Sequence, residues 1–180
     1  RTILIGVYGS TTLVFLDDQH YPFKVNAPFK TWVPLTDVPD CFLYFEPGQR
    51  PRLLFHRPAD YWHKPASPPE AYWTRSFDLH AVSDRAAARL LLPEDLGRTA
   101  YLGEPFPELV QWGVAAVNPE PLTTRLDFDR AAKTPYELTC LREASRRGAR
   151  GHLAAAESFA NGGSEFDIEL AFMRGCGQRE

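Results

Sequence analysis

Cysteine is scarce in this chain: Cys41, Cys140 and Cys176 are the only three among 180 residues. No pair is spaced as CxxC, so neither a disulfide framework nor a thiolate metal site is indicated. The pattern reads as reduced thiols in a cytoplasmic protein. Basic excess is missing as well. The net charge is −3, with 20 Lys and Arg against 23 Asp and Glu, which argues against a nucleic-acid partner, since that needs a clustered positive face. No apolar run approaches the roughly 18 residues of a membrane span, so no membrane partner is expected, and TILIGVY at the start lacks a signal-peptide cleavage pattern. The five histidines (His20, His56, His63, His80 and His152) make no HxH, HxxxH or HExxH. There is no GxSxG nucleophile elbow and no glycine loop followed by Lys-Ser or Lys-Thr.

What is present is an ordinary globular balance, 44% hydrophobic and 24% charged, enough for one medium domain or one domain plus part of another. Proline divides the chain. Fifteen of the sixteen prolines lie at or before Pro121, the last is Pro135, and none follows. The first part reads as strands and loops. TILIGVY is a continuous apolar run, as in a buried strand. CFLYFE and RLLFHR flank the turn cluster PGQRP as a hairpin. FDLHAV alternates like a strand, Ser83 is expected to cap a helix DRAAARLLL that Pro93 stops, and TAYLG, PELVQW and VAAVN read as strand, short helix and strand. The fold class is therefore α/β, a mixed β-sheet flanked by helices.

The second part opens on Thr134-Pro135-Tyr136-Glu137, a capping box with proline at the first helical position. That helix should run to about Ala160, where Asn161-Gly162-Gly163 ends it. Ser164 with Asp167 should cap another helix lasting to about Gly175. Leu138, Leu141, Ser145, Gly148, His152, Ala155 and Phe159 form a stripe at helical spacing whose small central residues would let another element pack close.

Chemistry is thinly marked. Asp17 and Asp18 are adjacent, and neighbours on a strand face opposite ways, so they suit a loop acid and a capping acid better than one ion. Arg142, Arg146, Arg147 and Arg150 read as a solvated helix face. Trp62, in Asp60-Tyr61-Trp62-His63, is either core packing or a wall for a ligand.

Three stretches change the reading. FLDDQHYPFKVNAPFKTWVPLTDVP, RPADYWHK and KTPYELTCLREASRRGARGHLAAAESFANGGSEFDIELAF, in that order, resemble the bacterial Xaa-Pro dipeptidases, or prolidases, whose relatives include organophosphorus acid anhydrolases. The resemblance implies a creatinase-like N-terminal domain over 1–127, then at 128–180 a linker and the first two helices of a truncated pita-bread catalytic domain. It implies a parent enzyme that hydrolyses dipeptides with C-terminal proline. Two divalent ions, usually manganese, would be held there by two Asp, one His and two Glu. It also implies a homodimer in which each N-terminal domain covers the partner's active site. None of the five ligands can be placed in this chain. The family's helical lead-in is not found before TILIGVY. The expectation is thus an N-terminal fragment that holds no metal and is inactive alone.

Two positions carry over by resemblance: Asp18, as partner of the substrate ammonium, and Trp62, as a wall of the small pocket. A dipeptide keeps its ammonium close to the scissile bond, so a carboxylate there would favour dipeptides over longer peptides, and an indole face would exclude water. The competing reading is a non-catalytic protein- or peptide-binding module of the same fold.

Overall fold

The computed structural model describes residues 2–7, 23–59, 61 and 64–178. It divides into two compact units, residues 1–126 and 127–180.

The first unit is built on a six-stranded sheet. Its strands are β1 (Thr2–Val7), β2 (Cys41–Phe45), β3 (Arg52–His56), β4 (Asp78–Val82), β5 (Thr99–Leu102) and β6 (Ala116–Val117), in the order β4-β3-β2-β1-β5-β6. β2 is antiparallel to both β1 and β3, while the pairs β1–β5, β3–β4 and β5–β6 are parallel. The hairpin expected across PGQRP is present, with Leu43 opposite Leu53. β1 lies inside the sheet, which accounts for its unbroken apolar run: both of its faces need cover.

Alternate residues feed two cores. Leu4, Phe42, Tyr44, Leu54 and Tyr101 pack with Ala88, Leu96, Phe106, Leu109 and Trp112. Here the rings of Phe42, Phe106 and Trp112 meet at centroid distances of 5.1 to 5.9 Å. On the other face Ile5, Leu43, Leu53, Phe55 and Leu102 pack with Phe29 and Val33, and Leu122 and Leu126 lie against them.

Several local expectations are corrected. The helix after β4, α2 (Arg85–Leu90), is capped by Asp84 and not by Ser83. Asp84 accepts from the Ala87 N–H at 2.7 Å, while the Ser83 hydroxyl donates to Asp84. PELV is a 3-10 turn, Pro107–Val110. Two helices escaped the sequence reading. In α1 (Ala27–Trp32), Asn26 caps the Phe29 N–H and proline sits in the first turn. α3 (Glu120–Ala131) runs across the boundary expected at residue 127. Phe29 is buried, whereas Trp32 is 58% exposed.

In the second unit, α4 (Pro135–Ala160) and α5 (Glu165–Cys176) form a helical hairpin. Both expected capping boxes are present. The close approach differs from the expected stripe. It runs through Gly151, which meets Phe172, and Gly175, which meets Ala154 and the Arg150 carbonyl, whereas a Cβ at Gly148 would touch nothing. His152 packs edge-on against Phe172 at 5.0 Å. Leu141 and Phe159 of the stripe remain exposed.

Candidate functional site

Because β1 and β3 both run opposite to β2, they end at the same edge of the sheet, and β2 begins there. Val7 pairs with Cys41, and the His56 N–H donates to Cys41 Sγ at 3.4 Å. The ends of β1 and β3 therefore lie on either side of the first residue of β2. In sequence, the stretch after Val7 carries Asp17 and Asp18, and the stretch after His56 carries Trp62. Asp17, Asp18, Asp60, Trp62 and His63 lie outside the described residues. Tyr61, between them, is 90% exposed.

The edge is polar. Asp40, His56, Asp84, Arg85 and Glu108 line a hollow of about 380 Å³. Arg85 is its centre. Its Nη2 and Nε donate to Asp40 Oδ1 at 2.9 and 3.2 Å, its Nη1 lies 3.6 Å from Glu108, and its guanidinium stands 5.1 Å from the centroid of the Phe106 ring. Asp40 has φ of 58°, a left-handed backbone costing on the order of 1 kcal/mol for a residue with a Cβ. Charge-assisted hydrogen bonds of this kind offset such a cost. The His56 ring nitrogen Nδ1 lies 3.2 Å from the Pro39 carbonyl. Asp84 is held below the usual carboxylate range, chiefly because it accepts from the Ala87 amide.

The ends of β1 and β5 also approach closely at this edge. Asn118 brackets Gly103, accepting from its N–H at 2.9 Å and donating to its carbonyl at 2.8 Å. Gly103 has φ of 143°, and a Cβ there would run into the Gly6 carbonyl. Glycine is required for both reasons.

Nucleophilic and metal chemistry find no seat among the described residues. Burial pushes the Cys41 thiol up to about 12, so at neutral pH it is a protonated apolar group. No group of three or more His, Cys, Asp or Glu among the described residues converges so as to hold a metal ion. An apolar hollow of about 230 Å³ over β1 and β2, lined by Ile3, Ile5, Leu43, Phe45 and Phe77 among others, offers no polar group for catalysis. No helix among the described residues is long and apolar enough to cross a membrane. The sequence reading missed Asp40, Arg85 and Glu108. They are far apart in the chain and converge only through the strand order, so no local motif announces them.

The class these features define is a mixed α/β domain with one reversed strand and a polar carboxyl edge, followed in sequence by a two-helix unit. The particular family is given by comparison. A family model described as "Xaa-Pro dipeptidase, N-terminal domain" matches residues 2–128. Among curated proteins, the Xaa-Pro dipeptidase of Aeromonas hydrophila is 46% identical over 170 residues, covering 94% of this chain and 39% of its own length. That of Stenotrophomonas maltophilia is 44% identical over 97% of this chain, and that of Pseudoalteromonas haloplanktis 42% over 96%; each is covered over 39% of its own length. The chain belongs to the Xaa-Pro dipeptidase family, and its sheet is that of a creatinase-like N-terminal domain. It spans about two-fifths of the length of these relatives.

Proposed function

We propose that this chain is the N-terminal portion of a cytoplasmic, metal-dependent peptidase that hydrolyses dipeptides with C-terminal proline, and that it shapes the substrate pocket without holding the metal. Residues 1–127 form the N-terminal domain, and 128–180 a linker and the first two helices of a pita-bread catalytic domain. The parent acts as a homodimer with two divalent ions, manganese being the expected pair, held by residues outside this chain. Asp18 pairs with the substrate ammonium, and Trp62 walls the pocket. The observation that carries the reading is the identity of 42 to 46% over nearly the whole chain to relatives named Xaa-Pro dipeptidase. The departure of the two stretches bearing Asp18 and Trp62 from one edge of the sheet supports a shared target for both.

The test is hydrolysis of Xaa-Pro dipeptides by the intact enzyme, followed by liquid chromatography. Activity should disappear with a chelator and return with manganese, and residues 1–180 alone should release no proline. Chelator-resistant hydrolysis, or turnover by the isolated chain, overturns the reading.

A further inference from the structure

We propose that Asn161 is a site of spontaneous covalent modification, converting to aspartate or isoaspartate at a rate set by opening of the turn between α4 and α5. The chain has three asparagines. Asn118 precedes Pro119, whose nitrogen has no proton to lose. Asn26 precedes Ala27, whose side chain crowds the amide, and its own side chain is engaged in capping the Phe29 N–H. Asn161 precedes glycine, so no side chain hinders attack by the next amide. In that step the Gly162 nitrogen, having lost its proton to solvent base, bonds to Asn161 Cγ. The bond from Cγ to the side-chain nitrogen breaks, and that nitrogen leaves as ammonia after taking a proton from water. Water then opens the five-membered imide at either carbonyl, giving aspartate or, with the chain rerouted through Cγ, isoaspartate.

The folded turn opposes ring closure. Asn161 is exposed, but it ends α4 with ψ of 8°. That angle holds the Gly162 nitrogen away from Cβ, and closure requires rotation out of the helical region. The Gly162 N–H is committed to the Phe159 carbonyl at 3.0 Å and the Gly163 N–H to the Ser158 carbonyl at 2.9 Å. These are the two bonds of a Schellman turn, with Gly162 at φ of 78°. The capping box of Ser164 and Asp167 holds the α5 side. Modification therefore proceeds through local opening. Its products mark the hairpin: a carboxylate at 161 stands at the negative end of α4, and isoaspartate adds a backbone carbon that breaks the spacing of the two turn bonds.

The experiment incubates the intact enzyme at mildly alkaline pH, native and in urea, and follows Asn26, Asn118 and Asn161 by peptide mapping with mass spectrometry. Amide hydrogen exchange at Gly162 is measured in parallel. In urea, Asn161 should be modified faster than either of the others. In the native enzyme its rate should fall at least about tenfold, and that slowing should match the protection of the Gly162 amide within about threefold, since one opening exposes both. Gly151→Val, which presses on Phe172, should change native modification and Gly162 exchange by the same factor and leave the rate in urea unaltered. The inference is overturned if Asn161 is modified no faster than Asn26 in urea, or if native and urea rates are equal. Slowing and protection that disagree by more than about threefold overturn it as well, as does a variant that speeds exchange without speeding modification.

Discussion

Gly151 of α4 lies directly against the ring of Phe172 in α5: a Cβ on Gly151 would come within 2.9 Å of two ring carbons and 3.0 Å of the Phe172 carbonyl. The hairpin of the second unit is therefore keyed by the absence of a side chain. Gly175 does the same from the other helix, where a Cβ would meet the Arg150 carbonyl at 2.9 Å. Close approach of this kind lets short side chains such as Ala154 pack without a bulky core.

Gly151→Val should force the helices apart and lower stability by about 2 kcal/mol, the usual range for overpacking. Gly148→Ala is the internal control. Nothing lies within 4 Å of the added Cβ, so the gain in helix propensity, about 0.8 kcal/mol, should appear as increased stability. Denaturation followed by far-ultraviolet circular dichroism separates the two.

The same unit should lose stability in acid. Glu137 is held below its usual value by the Thr134 amide and hydroxyl, and Asp167 by the Ser164 hydroxyl and amide. Both pKa values are lowered on folding, so the caps contribute fully above the unfolded values of 4.5 and 3.8 and lose their contribution as pH falls through the lower folded values. Thermal melts from pH 6 down to about pH 3 should show helix stability declining below about pH 4.5. Replacing both acids by Gln and Asn should flatten that decline.

Thiol reactivity should sort by burial. Cys140 is exposed, Cys41 and Cys176 are buried, and burial pushes the Cys41 thiol up to about 12. At pH 8 a disulfide reagent should label Cys140 in the native protein and reach Cys41 only after denaturation. Peptide mapping by mass spectrometry gives the site of each label.

These expectations show where sequence was informative. Thr134-Pro135-Tyr136-Glu137 and Ser164-Asp167 are local signals with one geometric meaning, and both helix starts follow from them. β1, β2 and β3 were visible because burial on one or both faces leaves an apolar or alternating run. α1 carried a legible signal, Asn26 with proline two residues on, but six residues with mixed exposure gave no periodicity to support it. α3 shows only Leu122 and Leu126 toward the core, too thin a stripe to announce a helix. Ser83 and Asp84 are adjacent and both good caps, so choosing between them needs the backbone. Asp18 and Trp62 came from resemblance alone, and both lie outside the described residues.

We propose that Asp18 of this chain pairs with the substrate ammonium, with the metal chemistry carried by other residues of the intact enzyme. The most direct measurement is kcat/KM of the intact enzyme carrying Asp18→Asn, for an Xaa-Pro dipeptide and for its N-acetylated counterpart. Loss of a charge-assisted contact of about 1.5 to 3 kcal/mol should lower the dipeptide value about 10- to 100-fold. The acetylated substrate, which has no ammonium, should be hydrolysed no more slowly than by the unmodified enzyme. An unchanged kcat/KM for the free dipeptide, or an equal loss for both substrates, would contradict the account.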